Sequence, residues 1–138
     1  MKYWLMKSEP STWSWEQQIK AGAKGEGWDG VRNYQASNNM KAMSVGDLCF
    51  FYHSVKERDI IGIVKVIKEY HPDPTDKTER FGMVRVSKYK ELKKRVNLEQ
   101  IKNDARLNHL ALVKQSRLSV MPIDKKSWTI ICNLGGIK

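Results

Sequence analysis

Two β-prone runs in the middle of the chain constrain the fold more than any other feature, because they are close enough to pair directly. Leu48–His53 is apolar and aromatic, and Ile60–Ile67 is rich in Ile and Val. The polar segment between them, residues 54–59, is short enough for a hairpin, so the pattern predicts an antiparallel pair. Further short strands are predicted at residues 3–6, 83–86 and 118–121, the last of them closed by Pro122.

Helix signals lie between these strands at irregular intervals. Ser14 and Gln17 resemble a capping box, which predicts a helix that stops before Gly22. Further helices are predicted after Asn97, after Asp124, and over residues 31–43, where Val31, Tyr34, Met40 and Met43 are available for burial. Because strands and helices do not alternate regularly, we exclude a doubly wound sheet and predict an α+β fold with a curled sheet or small barrel.

The charge balance points to a polyanionic partner. The 138 residues include 25 Lys and Arg against 15 Asp and Glu, which gives a formal net charge of +10. This surplus favours nucleic acid first and an anionic membrane second, while lysine used only for solubility is the open alternative. A chain of this length predicts one domain, spanning residues 1–138.

The apolar runs and the cysteines of the sequence indicate in which cellular compartment the protein works. No apolar run approaches the ~20 residues that a membrane span needs, and the first residues are too short and too soon charged for a signal peptide. Cys49 and Cys132 form no CxxC motif, so we expect reduced core thiols. The histidines are scattered, so we expect no metal and no cofactor. The protein should be cytoplasmic, or nuclear in a eukaryote.

Residues 28–35, with the sequence WDGVRNYQ, combine two aromatics, a guanidinium, amides and a carboxylate. This chemistry suits a planar polar ligand such as a nucleobase, because rings stack on its faces while amides and a guanidinium bond its edges. Trp28 lies in a glycine-rich loop, where its ring can stand exposed as a stacking surface. Arg32 and Asn33 could read an edge or a phosphate. Tyr34 also suits the buried face of the following helix.

Three other strand ends carry polar groups that could complete a binding site. The candidates are Lys7, Ser8 and Glu9 after the first strand, His53 at the end of another, and Arg117 and Ser119 beside the last. Lysine and hydroxyl groups can hold a phosphate, and a carboxylate can accept from an amino group such as cytosine N4. The ordinary alternatives are a capped turn for residues 7–10, a half-exposed strand end for His53, and an ion pair for Arg117.

A basic run follows in the second half of the chain. Six cations fall within residues 85–95, opposed only by Glu91: Arg85, Lys88, Lys90, Lys93, Lys94 and Arg95. They could contact phosphates, or they could form a solvated strand end. Motifs for catalysis are not evident in the sequence. Glu9 or Asp29 could serve as a general base, but nothing names a nucleophile, so we expect no enzyme.

Six segments, taken in order, resemble the EVE domain, a member of the PUA-like superfamily and a relative of the YTH RNA-reader domain. They are Tyr3–Pro10, Trp28–Gln35, Gly46–Asp47, Phe50–Ser54, Gly62–Val64 and Arg117–Val120. Together they extend over essentially the whole chain. Nuclear members usually carry a basic N-terminal extension, which this sequence does not show, and this favours a stand-alone prokaryotic version.

The resemblance implies a small mixed β-barrel flanked by short helices, with a pocket for a flipped-out modified base. By that analogy the pocket residues are Lys7, Ser8, Glu9, Trp28, Arg32, Asn33, Tyr34, His53, Arg117 and Ser119. YTH domains surround a methyl group with a cage of aromatic side chains. In this sequence Trp28 is the clear candidate for such a cage, and a second and third ring are not obvious. We therefore expect a monomeric, non-enzymatic reader, with 5-methylcytosine-type bases in DNA as leading ligands. An RNA-binding module and an enzyme acting on the base are the alternatives.

Overall fold

The computed structural model describes residues 1–137, in which six strands form one mixed sheet and five short α-helices pack around it. The strands are β1 (Tyr3–Ser8), β2 (Glu26–Gly27), β3 (Leu48–His53), β4 (Asp59–Pro72), β5 (Gly82–Asn97) and β6 (Val120–Ile123). The helices are α1 (Trp15–Ala21), α2 (Tyr34–Lys41), α3 (Leu98–Lys102), α4 (Ala111–Lys114) and α5 (Lys125–Leu134). A 3-10 turn, Gly22–Lys24, follows α1.

The strand order across the sheet is β2-β5-β4-β3-β1-β6. β1 and β3 are parallel, and the other pairs are antiparallel, including the predicted hairpin of β3 and β4. The predicted α+β class is therefore confirmed. Among residues 1–137 the pairings leave β2 and β6 as the two edges, so closure of the sheet into a small barrel is not confirmed.

The hydrophobic core covers both faces of β3, because consecutive side chains of a strand point to opposite faces. The buried Phe50 stacks on Trp128 of α5, with 3.9 Å between ring centroids. The buried Phe51 meets the rings of Trp15 and Trp28 edge to face, at 5.2 and 5.5 Å. α5 therefore closes one face of the sheet, whereas α1 and the chain after β2 close the other.

A glycine in β4 determines where α1 lies on the sheet. A Cβ atom at Gly62 would lie 2.4 Å from the ring of Trp15, which is too close for any side chain. The indole Nε1 of Trp15 also donates to Oε1 of Glu91 on β5 (3.0 Å). The glycine and the carboxylate together fix this ring, and with it the start of α1.

The helix caps predicted from the sequence are present. Ser14 and Gln17 form a reciprocal capping box at α1, and Asn97 and Gln100 form another at α3. Asp124 caps α5 by accepting a backbone N–H bond. Each of these motifs joins residues three positions apart, so the local sequence is enough to specify it.

Several elements differ from the prediction, and three of the differences have a clear physical reason. α2 begins at Tyr34 rather than near Val31, because Asn33 is its cap. β5 is 16 residues long and runs far beyond residues 83–86, since it pairs with the long β4. β6 continues through Pro122 instead of closing there. A proline fits this position because β6 is an edge strand, where a missing N–H can face away from the neighbour.

Both cysteines are buried and free, as predicted. Burial raises the pKa of Cys132 to about 11, against the opposing charge of Lys90. Within the described residues, no cluster of three or more His, Cys, Asp or Glu side chains could hold a metal ion. No helix among them has the length and apolar character needed to cross a membrane.

Candidate nucleic-acid interface

A cavity of about 590 Å³, here called the first cavity, opens at the carboxyl end of β1. Its volume falls within the roughly 300–1,000 Å³ that is usual for ligand-binding pockets. Its walls come from the end of β1, the turn before α1, residues 26–32 and the residue before β6. Six of the ten residues predicted for the base pocket line it: Lys7, Ser8, Glu9, Trp28, Arg32 and Ser119.

The sequence interpretation missed several lining residues, of which Trp13 matters most. The others include Thr12, Glu26 and Val31. Trp13 supplies the second aromatic ring that the WDGVRNYQ segment did not reveal. The only signal for it is its position just after the turn that follows Glu9, where the chain stays beside the end of β1.

Hydrogen bonds fix the floor of the first cavity. The backbone N–H of Lys7 donates to the carbonyl of Ser119 (2.8 Å), which joins β1 to the segment before β6. The buried Ser8 hydroxyl donates to the carbonyl of Trp13, and Trp13 Nε1 donates to Oε1 of Gln18 (2.9 Å). The Trp13 indole is therefore positioned by its neighbours, as a preorganised site requires.

The prediction that Trp28 stands exposed is wrong. Its ring is 8% exposed and packs edge to face on Phe51 in the core. Its backbone N–H donates to the carbonyl of Val84 on β5 (2.8 Å). An indole offers a large apolar surface, and burial of that surface stabilises the fold. Trp28 therefore contributes to the first cavity as part of a rigid wall.

A carboxylate from a distant loop holds the segment that carries Trp28 and Arg32. The side chain of Asp73 is fully buried, and its Oδ2 accepts from Gly30 N–H (2.9 Å) and from Arg32 Nη1 (3.2 Å). Its Oδ1 accepts from the N–H and the hydroxyl of Thr75 (2.8 and 2.7 Å). Burial opposes the charged form, but the bonds from Thr75, Gly30 and Arg32 outweigh it and lower the pKa of Asp73.

These bonds change the role predicted for Arg32. Its guanidinium donates to Asp73, to the Thr75 hydroxyl (2.9 Å) and to the Val31 carbonyl (3.0 Å). Arg32 lines the first cavity, but its main contacts are inside the protein. It acts as a positioning residue for the loop at Gly30, whose φ of 79° is in the left-handed region that glycine tolerates.

Asn33 and Tyr34 lie outside the first cavity, which corrects their placement in the base pocket. Asn33 Oδ1 accepts from Ala36 N–H (2.9 Å) as the cap of α2. Tyr34 is 61% exposed and packs against Phe81, with 4.9 Å between ring centroids. The chain turns into α2 at this point and carries both side chains away from the end of β1.

His53 is also corrected, because it is buried beneath the site instead of lining it. Its Nε2 accepts from the backbone N–H of Trp15 (3.1 Å), and its Nδ1 bonds Oε1 of Glu57 (2.9 Å). A ring nitrogen that accepts a hydrogen bond carries no proton, so Nδ1 carries it and donates to the carboxylate. His53 therefore ties the start of α1 to the β3–β4 hairpin.

The first cavity has a mixed charge. The charged residues that line it are Glu9, Glu26 and Asp29 against Lys7 and Arg32. Partial burial and the charges of Asp73 and Glu26 raise the pKa of Asp29. Burial lowers the pKa of Lys7, whose Nζ donates to the Ser116 carbonyl (2.9 Å). Neighbouring donors and acceptors of this kind suit a neutral polar ligand better than a phosphate.

Arg117 lines a second cavity of about 460 Å³ beside the first. The two cavities share Lys7, Glu9 and Ser119, so they are contiguous. Among residues 1–137 no ion pair joins Arg117 to a carboxylate, so that alternative for its role is wrong.

In the fold, the basic residues of the run 85–95 fall into two groups: arginines with partners in the chain and exposed lysines. Arg85 donates to two backbone carbonyls near the 3-10 turn, at 2.8 and 3.1 Å. Arg95 is ion-paired with Glu57 and lies 3.6 Å from Asp59. These two arginines are therefore already engaged by partners within the chain, which makes them less available to phosphates than the sequence predicted. The exposed lysines that remain are Lys88, Lys90, Lys93 and Lys94.

The fold and this interface define an α+β domain with a ligand-sized polar and aromatic cavity at the end of a central strand. The family model of the EVE domain matches residues 2–134. The chain belongs to the EVE domain family, which confirms the resemblance drawn from the sequence.

Relatives and solved structures agree with this assignment. Thymocyte nuclear protein 1 of Mus musculus is 34% identical over 165 residues, covering 96% of this chain and 73% of that protein. The crystal structure of a protein from Agrobacterium tumefaciens is 43% identical, with a TM-score of 0.97, covering 99% of this chain and 94% of that one. Human THYN1, solved in complex with 5-methylcytosine containing DNA, is 30% identical, with a TM-score of 0.91 and coverages of 100% and 99%.

The expected relation to YTH domains holds at the level of the fold. A YTH domain from Zygosaccharomyces rouxii is 16% identical and superposes with a TM-score of 0.58, covering 99% of this chain and 88% of that one. At this identity the likeness concerns the fold alone.

Proposed function

We propose that this protein is a non-enzymatic reader of modified bases, with 5-methylcytosine in DNA as the leading ligand. The observation that carries the proposal is the first cavity, which is large enough for a base and combines the indoles of Trp13 and Trp28 with polar groups. The choice of base is supported by human THYN1, a relative solved with 5-methylcytosine containing DNA.

A cytosine has donors and acceptors on one edge, and the first cavity supplies partners for both. The N4 amino group can donate to the carboxylate of Glu9 or Asp29, while Lys7 can donate to the base acceptors. Stacking on the partly buried Trp13 indole contributes about 1–3 kcal/mol per base. This offsets much of the few kcal/mol needed to take a base out of the stack.

The proposal includes no chemical step. The Ser8 hydroxyl, one of the hydroxyls that line the first cavity, is engaged with the Trp13 carbonyl. We place backbone contacts on the exposed lysines of β5, with a corresponding loss of affinity as salt rises. The chain acts in this proposal as one domain and as a monomer.

Fluorescence anisotropy with two oligonucleotides that differ by one cytosine methyl group tests the proposal. The wild type should prefer the methylated strand. Glu9→Gln should lower affinity for it roughly ten- to a hundredfold, because a bond to a charged acceptor contributes about 1.5–3 kcal/mol. Glu16→Gln is the matched control, since Glu16 is exposed on α1 and does not line the first cavity.

Three outcomes contradict the proposal. Equal affinity for methylated and plain strands removes the modified base as the ligand. Stronger binding of a matched RNA in competition replaces DNA by RNA. A changed nucleoside after incubation with methylated DNA makes the protein an enzyme.

A further inference from the structure

The second cavity differs in chemistry from the first. It is formed by the ends of β1 and β3, the turn between β3 and β4, and helices α3 and α4. Part of its surface is apolar, from Val55, Leu98 and Val113, and its lining also includes the buried Tyr52 and Leu112. Burial raises the pKa of Tyr52 to about 12, against the opposing charge of Arg58. The phenol therefore stays neutral at physiological pH and adds no negative charge.

Three exposed cations converge on this apolar surface: Arg58, Lys102 and Arg117. Among residues 1–137 their side chains form no ion pair. This contrasts with Arg95, which is paired with carboxylates. Lys7 adds a fourth cation to the second cavity, and Glu9 is the one carboxylate among the described residues that line it.

The backbone at the edge of the second cavity is unusual. Val55 and Arg58, which both line it, have φ values of 74° and 54°. A β-branched residue rarely adopts this left-handed conformation, and such residues cluster at ligand sites. The carbonyl of Arg58 also accepts from Leu98 N–H (3.0 Å), which fixes the turn against α3. The constrained turn thus fixes the backbone from which the Arg58 side chain extends.

The two cavities have opposite charge balances although they share a boundary. Three carboxylates and two cations line the first, whereas four cations and one carboxylate line the second. The mixed charge of the first cavity suits a neutral base, and the positive charge of the second cavity suits a phosphate. Lys7 lies between them, with its ammonium 5.8 Å from the centre of the Tyr52 ring.

We propose that the second cavity binds the phosphodiester and sugar of the nucleotide adjacent to the base in the first cavity. This inference rests on the proposed function, because it needs a base in the first cavity to set the register of the strand. The cations hold the phosphate, and the more exposed apolar side chains of Val55 and Leu98 receive the sugar. A free nucleoside would use the first cavity only.

Single substitutions test this assignment: Arg58→Gln, Lys102→Gln and Arg117→Gln. For a short single-stranded oligonucleotide with one 5-methylcytosine, each should lower the slope of log Kd against log salt, and the three combined should lower it by about 0.7, because together they neutralise one phosphate. Combined, they should weaken binding at least tenfold at low salt and leave the ratio of methylated to plain affinity unchanged. Lys126→Gln is the matched control, because Lys126 is an exposed helix lysine that lines neither cavity. Thermal unfolding checks that each variant is folded.

The outcomes separate this inference from the proposed function. If the wild type prefers the methylated strand but the three variants keep its salt slope, the second-cavity assignment is wrong and the reader function stands. If the variants lower the methylation preference itself, these residues contact the base and the assignment is also wrong. If the wild type shows no methylation preference, the proposed function is wrong. The second-cavity assignment is then wrong as well, because no base in the first cavity sets the register of the strand.

Discussion

Replacing Asp73 by asparagine should weaken base binding although Asp73 does not line the first cavity. The carboxylate holds Gly30 and Arg32 through Oδ2 and Thr75 through Oδ1, with two bonds at each oxygen. An asparagine amide keeps one accepting oxygen and presents an NH₂ group in place of the other. Whichever way the amide turns, two of the four bonds are lost.

The size of the effect follows from these bonds. A net hydrogen bond contributes about 0.5–1.5 kcal/mol, and one to a charged group about 1.5–3 kcal/mol. Because two bonds to a charged carboxylate are lost, we expect Asp73→Asn to lower the free energy of unfolding by about 3–6 kcal/mol. If the released loop must re-order one residue on binding, at about 1–2 kcal/mol, base affinity falls roughly five- to thirtyfold.

Urea unfolding and anisotropy with a methylated oligonucleotide measure the two effects on the same protein. Asp76→Asn is the matched control. Asp76 also accepts four bonds, from Thr78, Arg80 and Phe81, but none from the first cavity. It should therefore destabilise the same loop but keep the bonds from Asp73 to Gly30 and Arg32, so that base affinity falls much less than in Asp73→Asn.

Two results would refute the reasoning about Asp73. If Asp73→Asn and Asp76→Asn reduce base affinity equally, the effect is general destabilisation and not the anchoring of Gly30. If Asp73→Asn unfolds at the wild-type urea concentration, the four bonds do not stabilise the loop.

Three further predictions concern stability. His53→Ala should lower the free energy of unfolding by about 1–3 kcal/mol in urea, because it leaves the buried N–H of Trp15 unpaired; His109→Ala should lower it less, because it removes only an exposed bond to Asp124. Gly62→Ala should lower it by about 1–3 kcal/mol, since the new methyl group overlaps the Trp15 ring, and an unchanged urea midpoint would contradict that packing. Burial opposes the charged form of Asp124, but bonds from Ser127 and His109 lower its pKa to about 2. The unfolded pKa is higher, so this stabilisation is complete above about pH 4 and is lost as pH falls through 2. Tm should drop over that range, and less in Asp124→Asn.

The parts of the fold that the sequence predicts are those specified by near neighbours. Ser14, Asn97 and Asp124 cap helices through residues three positions away. The β3–β4 hairpin depends on two strong β patterns and a short polar connection. The four-residue α4 escaped prediction, because its cap position, Leu110, offers no side-chain acceptor.

The parts of the site that the sequence does not predict depend on distant partners. The anchor of Gly30 is Asp73, 43 residues away, and no local pattern links them. The glycine-rich sequence around Trp28 suggests an exposed ring, but the ring packs against Phe51 in the core. In the sequence Arg85 resembles a phosphate contact, but in the fold its guanidinium donates to two backbone carbonyls. Residue types thus identify the chemistry of a site, whereas tertiary contacts decide which side chains are available for it.

The exposed lysines of β5 oppose self-association of the protein through its sheet edge. β2 pairs with only Val86 and Arg85 of this strand, and the Gly135 carbonyl accepts from the N–H groups of Lys93 and Lys94, so among residues 1–137 the part between these contacts has no strand partner on its outer side. An unpaired strand edge is a template on which a second copy can add its own strand. Four exposed lysines along this edge make such pairing repulsive, because two copies would bring like charges together. Replacing these lysines to map nucleic-acid contacts would therefore also remove a barrier to aggregation.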